Sequence, residues 1–342
     1  MKVAEEIGPS RRRGAARLLI GGAVSALMVW LAARGVAWSA FVDNLQGVNI
    51  SWLLVGVVCA LAAYGAMAFR WRALLWATSP LPLPAVFDFT MIGYLAGLVL
   101  PARLGDIVKV VLVGRRASVS RSRVIGSVMI ERLADVVMLL GLAAVFSLTA
   151  SLPAVFKSAL LVLAFVTAVA IAVLSLGAEH WQYLVHPFLK LLPAQMVPSI
   201  TMNLTQAAEG LQALRRPRQL FSVLVQTAIS WGLSALAMTA FVWACGLQLP
   251  WHAGLFILVL TNLGGVIPVS PGSIGVYHFL AVSAVTIWAP DASAALSFAV
   301  ITHVVSLLII LGAGTVSLAR QGLSLGTLQG QLAVGAGVFV KS

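Results

Sequence analysis

Six ionisable residues stand close together in a largely apolar sequence: Arg103, Asp106 and Lys109, then Glu131, Arg132 and Asp135. A charged side chain at bilayer depth costs roughly 2.5–3.5 kcal/mol on insertion scales, so such groups need partners or a purpose. Their spacing supplies partners. On a helix, residues three or four apart are neighbours. Asp106 therefore meets Lys109, Glu131 shares a face with Asp135, and Arg132 also neighbours Asp135. Two helices carrying these sets would cross-pair, for instance Arg103 with Glu131 or Asp135. One reading is an ion-pair lock between helices. The other is a polar cavity in which Arg103, Lys109 and Arg132 grip a phosphate, a role that suits arginine because its planar fork donates two parallel hydrogen bonds. The two can coexist, the carboxylates holding the cations until a headgroup competes. Asp106, Glu131 and Asp135 are also candidates for proton coupling.

A second stretch, Pro268-Val269-Ser270-Pro271-Gly272-Ser273-Ile274-Gly275, is rich in Gly, Ser and Pro. Backbone N–H groups of Gly272, Ser273 and Gly275 beside a helix start would suit an anion. The plainer reading is a tight turn shaped by Pro268, Pro271 and the glycines. His278 comes just after the turn and is a further proton-coupling candidate; His303, in the last apolar run, is expected only to hydrogen-bond a neighbouring helix.

Other chemistries lack their signatures. There is no Gly-x-x-x-x-Gly-Lys-Ser/Thr loop for an ATP motor, no His-Glu-x-x-His or Cys/His cluster for a metal, and no Gly-x-Ser-x-Gly elbow for a hydrolase. No cofactor is expected. Cys59 and Cys245 both lie inside apolar runs, which argues against a disulfide framework, a zinc site or a redox pair. The net charge is +12, yet the basic residues cluster between apolar runs and no aromatic-basic groove pattern appears, so anionic lipid headgroups are the expected partners and nucleic acid is not.

The elements that must hold these residues are membrane helices. Of the 342 residues, 61% are hydrophobic and 9% charged, and the mean hydropathy is +1.02. An average soluble domain carries roughly 25% charged residues. Ten tryptophans fit a protein with two membrane interfaces. Apolar runs predict full spans over 18–37, 51–69, 124–150, 158–177, 220–245 and 294–318. The first is read as an uncleaved helix because its apolar run is as long as a span. A short polar loop with Asp43, Asn44 and Asn49 is expected outside, and Arg70 and Arg72 close the second span inside. Segment 179–219 repeats apolar residues at helical spacing and reads as an amphipathic helix on the cytoplasmic face.

Two segments are too short to span and are broken. Residues 85–113 have basic flanks on both sides and turn at Pro101, with Gly105 beside the turn. Residues 253–288 turn at Pro268–Gly275, and their flanks contain no Lys or Arg. Each is predicted as a re-entrant hairpin, the two entering from opposite faces. The alternative is that 253–288 makes two short crossings, or one. Of the 22 basic residues, only Arg34 and Lys157 then fall outside. The order span, hairpin, span occurs over 51–150 and again, inverted, over 220–318, which is a transporter architecture. The predicted fold is thus an all-α integral membrane protein with about six full spans plus the two hairpins. Its membrane domain runs over 18–320, with a basic N-terminus at 1–17 and a tail at 321–342, both cytoplasmic at an inner membrane.

Four places in order resemble the lysylphosphatidylglycerol synthase transmembrane-region family, or flippase-like domain proteins: Phe69-Arg70-Trp71-Arg72-Ala73-Leu74-Leu75; Pro101-Ala102-Arg103-Leu104-Gly105-Asp106; Glu131-Arg132 with Asp135; and Pro268 through Gly275. The resemblance covers about residues 18–320. Many members carry Glu where Asp106 stands, and a carboxylate near the position of His278. The resemblance implies a domain that binds and translocates lipids, often aminoacylated phospholipids or lipid-linked sugars. Larger relatives fuse the domain to a soluble aminoacyl-transferase. A separate lipid synthase or glycosyltransferase is an expected partner. The leading expectation is a flippase without its own motor, carrying a phospholipid or polyprenyl-linked glycolipid with its headgroup in a cavity between the hairpins. The alternative is a membrane-embedded subunit or transferase of lipid-linked sugar or aminoacyl-lipid synthesis, with Glu131 or Asp135 as base.

Overall fold

A computed structural model describes residues 22–75, 81–99, 104–117, 119, 121–149, 158, 161–162, 165, 167–169, 217–265, 271–324 and 326. No strand occurs among them. The helices are α1 (Gly22–Ala33), α2 (Trp38–Gln46), α3 (Ile50–Leu75), α4 (Leu83–Val99), α5 (Gly105–Ala117), α6 (Arg121–Thr149), α7 (Pro217–Ala244), α8 (Ala253–Gly265), α9 (Val276–Val285) and α10 (Ala292–Arg320). A 3-10 turn, Pro271–Ser273, lies between α8 and α9.

Helix lengths match the bilayer. α3, α7 and α10 are long and apolar enough to cross it; α1 and α2, bent by 88° at their junction, would make a fourth span if counted as one. At 1.5 Å per residue these three long helices reach ~39–44 Å, whereas α4, α5, α8 and α9 reach only ~15–26 Å, short of a hydrocarbon core of about 30 Å. Large apolar side chains such as Leu54, Val58, Phe221, Leu236 and Leu308 lie exposed on the long helices, as lipid-facing positions do. The succession long, short, short, long occurs over α3–α6 and again over α7–α10. α6 is as long as α10 but carries Arg121, Arg123, Glu131, Arg132 and Asp135 in its first half.

Several boundaries differ from the sequence expectation. Asp43 and Asn44 lie on helix α2, not in a loop. Trp38, Phe41, Val42 and Leu45 fall at i, i+3, i+4 and i+7, the apolar stripe of a surface helix, and the polar residues between them mask it. α3 does not stop at Phe69 but runs on through Arg70 and Arg72 to Leu75. Residues 217–219 open α7 instead of closing an interfacial helix, with Pro217 at the first helical position, where its missing N–H costs nothing. The rest of 179–219, and most of 158–177, lie outside the described residues, as do the N-terminus to 21 and the tail beyond 326.

The chain forms two compact units. The first holds Met1–Val58, Leu98–Arg103 and Ala235–Leu308; the second holds Cys59–Gly97, Leu104–Ser234 and Ile309–Ser342. In the first, α8 and α9 pack together as a helical pair. α2 is tied to the start of α10 through Ser293 Oγ, which accepts from the Ala37 N–H at 3.0 Å, and Ser297 Oγ, which donates to the Phe41 carbonyl at 3.2 Å.

In the second unit, α4 and α5 run antiparallel at very close range. A Cβ at Gly105 would collide with the Gly93 carbonyl and fall 3.1 Å from the Gly97 nitrogen. Position 105 must therefore be glycine for the two backbones to touch, a use of small residues typical of membrane helix packing. The start of α4 is held by Asp88, a buried carboxylate inside the run taken from sequence as an apolar arm. It accepts from Gln321 Nε2 at 2.7 Å and pairs with Arg320 at 3.4 Å.

Candidate functional site

The six ionisable residues singled out in the sequence include five that the structure describes, and all five lie in the second unit. Arg103 and Pro101 lie outside the described residues. α5 presents Asp106 and Lys109, α6 presents Glu131, Arg132 and Asp135, and the two helices pack side by side. Room for Lys109 comes from α4. A Cβ at Gly93 would press on the Lys109 stem, 2.5 Å from Cγ and 2.9 Å from Cδ. The missing side chain is the slot through which the lysine reaches α6.

At the sealed end, Glu131 takes one cation on each oxygen. Lys109 Nζ donates to Oε2 at 2.9 Å, and an Arg70 amine donates to Oε1 at 3.3 Å. Arg70 also clamps Asp135 at 2.6 and 3.2 Å and donates to Thr227 Oγ1 at 3.0 Å. Trp231 Nε1 donates to Asp135 at 3.2 Å. Trp71 lies beneath the lysine: its ring centroid is 4.3 Å from Nζ, and its N–H donates to Ser127 Oγ at 3.2 Å. At the open end, Arg132 grips Asp106 with two parallel bonds, 2.9 and 2.6 Å. Two longer contacts join the ends, Lys109 to Asp106 at 3.9 Å and Arg132 to Asp135 at 3.8 Å.

Exposure rises along the chain of charges. The Arg70, Glu131 and Lys109 side chains are 0–4% exposed, Asp135 is 18%, Asp106 38% and Arg132 47%. The sealed end suits a lock, since a buried charge is tolerable only when paired and hydrogen-bonded. The open end is where an external anion can meet a guanidinium. Arg70, Lys109 and Arg132 balance Asp106, Glu131 and Asp135, so the described cluster is neutral.

Arg70 is the residue that spacing alone does not reveal. From the sequence it reads, with Arg72, as a structural residue flanking a span, but Arg70 sits at the centre of the cluster. The helical spacing of Glu131 and Asp135 does point to a cation between them. Which cation fills that place is a tertiary matter. Arg72 donates from Nε to the Leu81 carbonyl at 3.0 Å and so anchors the entry to α4.

The other candidates lie in the first unit. Pro268 is outside the described residues, and Pro271 opens the 3-10 turn. Gly272, Ser273 and Gly275 all have positive φ, at 65°, 57° and 93°. A Cβ at Gly275 would lie 2.6 Å from the Ser25 carbonyl oxygen of α1. The polar groups of the turn are turned toward histidine. Gly275 N–H donates to His278 Nδ1 at 3.4 Å, the Gly272 carbonyl lies 2.9 Å from His303 Nε2, and the two rings approach at 3.5 Å. The Gly275 N–H expected to meet an anion is thus engaged. His303, expected to play a minor part, is central to this group. Leu98, at the end of α4, stands against Gly272.

Long apolar helices that expose their side chains, short broken ones between them and a buried ionic cluster define a multi-pass membrane protein. The family model "Lysylphosphatidylglycerol synthase TM region" matches residues 18–314. The chain belongs to this lipid-related family of membrane proteins. No curated protein matches the chain.

Proposed function

We propose that this protein is a lipid flippase of the inner membrane, with both termini cytoplasmic, about six spans and the two broken helical pairs as re-entrant hairpins from opposite faces. The cargo is a phospholipid or polyprenyl-linked glycolipid whose headgroup phosphate exchanges for a carboxylate on Arg132, with Arg103 as a second cation. The carrying observation is the gradient of exposure: a sealed set of ion pairs ends in a half-exposed bidentate Arg132–Asp106 pair.

The exchange is chemically direct. A guanidinium fork fits phosphate and carboxylate alike. When phosphate takes Arg132, Asp106 is released beside Lys109, already 3.9 Å away, so neither charge is stranded. Glu131 and Asp135 keep Arg70 in place throughout. Acyl chains stay in the bilayer while the headgroup moves, and rocking of one repeat against the other supplies alternating access.

Reconstitution tests this. Purified protein in liposomes should move a labelled anionic phospholipid between leaflets without changing its mass. A changed mass would mean that the protein acts as a transferase or a subunit of one. Arg103→Ala and Arg132→Ala should each abolish movement in a protein that still folds. Wild-type rates in both would reject the headgroup role.

A further inference from the structure

The backbone fixes where the protons sit on His278 and His303. A carbonyl can only accept, so the 2.9 Å contact with Gly272 O puts the hydrogen of His303 on Nε2. A backbone N–H can only donate, so the 3.4 Å contact from Gly275 leaves His278 Nδ1 bare. Each neutral ring has one N–H. His303 Nδ1 is then bare and His278 Nε2 protonated, and these are the two atoms that face each other at 3.5 Å. Four groups thus form one directed chain: Gly275 N–H to His278, His278 to His303, His303 to the Gly272 carbonyl. It closes over a turn in which Gly272, Ser273 and Gly275 all have positive φ, a conformation that Ser273, as a non-glycine residue, adopts only under constraint.

We infer that His278 and His303 together form a binding site for one proton, and that filling it releases the Gly272–Gly275 turn. The count of hydrogens requires this. The neutral pair carries two. One stays on His303 Nε2 for the Gly272 carbonyl, and one must lie between the rings for their bond to survive. A third has only His278 Nδ1 to occupy, where it opposes the Gly275 N–H. Every protonated state that keeps the other two bonds therefore breaks the bond at the start of α9. The two weak links, 3.4 and 3.5 Å, are long for hydrogen bonds, so the chain opens easily.

The surroundings leave the pair to act alone. Tyr277 on α9 lies with its ring 4.7 Å from that of His303 and donates to Thr302 Oγ1 of α10 at 2.9 Å. Cys245, after α7, is the titratable group beyond Tyr277. Leu98 and Leu307 stand at Gly272, and the Ser25 backbone of α1 at Gly275. Among the described residues, the titratable group that acts on His278 is His303, and His303 meets the Gly272 backbone; no carboxylate is among the groups acting on either ring. His303 is buried but His278 is only partly so, which gives the proton its entry.

The test uses full-length protein in nanodiscs with 15N-imidazole histidine. At neutral pH both rings should show the Nε2–H form. On acidification His278 should gain a proton at Nδ1 while His303 stays neutral. In a background of Cys59→Ser and Cys245→Ser, thiol labelling of Ser273→Cys should rise several-fold over the same pH range. His278→Asn keeps an acceptor for the Gly275 N–H and cannot titrate, so it should make labelling independent of pH. An Nδ1–H form of either ring at neutral pH, separate uptake of one proton by each ring, or pH-independent labelling with the pair intact would overturn the inference. The spectra of the unmutated histidines decide the matter even if a variant fails to fold. Neither readout involves lipid movement, so the result is independent of the transport proposal.

Discussion

Around α5, three cations and three carboxylates interlock, with Arg70 and Glu131 excluded from solvent. Around α9 the polar groups are two imidazoles, a phenol, a hydroxyl and the backbone of a turn. Both places must hold a short helical pair against longer helices, and both bury polar atoms to do so. They differ in the cost of losing one partner. Removing one member of a buried ion pair strands a charge. Removing one member of a neutral hydrogen-bonded set strands at most a dipole. The ionic region is thus suited to holding a fixed geometry, and the neutral region to rearranging at small cost.

The difference should be plainest in a pair of substitutions. Arg70→Ala leaves Asp135 without its clamp and Glu131 without one of its two cations, all inside the protein. Breaking a buried ion pair from one side costs about 3–5 kcal/mol. His303→Ala removes a neutral donor from the Gly272 carbonyl, at about 1–3 kcal/mol for a buried group left unsatisfied. Thermal unfolding of the detergent-solubilised protein should therefore show a far larger loss for Arg70→Ala. Arg70→Lys should recover only part of it, because one ammonium cannot span Asp135, Glu131 and Thr227 together. Equal losses for Arg70→Ala and His303→Ala would erase the distinction between the regions.

A smaller effect sharpens the comparison at the level of packing. Gly105 and Gly264 each lie where a methyl group would collide with the partner helix. At Gly105 the obstacle is the Gly93 backbone, which cannot yield without moving α4 from α5. At Gly264 it is the end of the Leu280 side chain, which can adopt another rotamer. Overpacking costs typically about 1–3 kcal/mol. Gly105→Ala should sit at the upper end, and Gly264→Ala at or below the lower end. Because α5 carries Asp106 and Lys109, Gly105→Ala should also slow lipid movement out of proportion to the stability lost. Similar behaviour of both variants would mean that the two helical pairs tolerate separation alike.

Much of this is legible in the sequence because hydropathy is a local property. The long helices, the two breaks near 100 and 270 and the pairing logic of Glu131 with Asp135 all come from runs and spacings. The illegible part depends on partners distant in sequence. Arg70 looks like the end of a span because arginines after an apolar run, here Arg70 and Arg72, normally mark the interface. Only the carboxylates of α6 and Thr227 of α7 explain why α3 continues past it. Asp88 is hidden in an apolar run for the same reason, its partners being Arg320 and Gln321 at the far end of the chain. α2 escapes detection on local grounds, since Ser39, Asp43, Asn44 and Gln46 offset an apolar stripe of only four residues. The chain of bonds through His278 and His303 cannot be found by spacing, because it rests on which backbone atom each ring faces.

The smallest expected effect on stability separates fixing from function within the ionic region itself. Arg132 and Asp106 are bidentate and close, yet 47% and 38% exposed. Water and salt screen an ion pair in such a position, and exposed pairs contribute about 0.2–1 kcal/mol. Arg132→Ala should therefore shift the unfolding temperature only slightly, and raising the salt concentration should shrink even that difference. Lipid movement should respond in the opposite proportion, falling to background in the same variant, because the proposed exchange of phosphate for Asp106 takes place at the open end of the cluster. The Asp106→Asn variant completes the contrast. It keeps the shape but no longer competes as an anion, so phosphate should bind Arg132 more tightly and leave more slowly. Headgroup affinity should then rise while turnover falls. A variant in which both rise together would show that Asp106 does not compete for the arginine, and would make the pair a surface bridge with no part in carrying lipid.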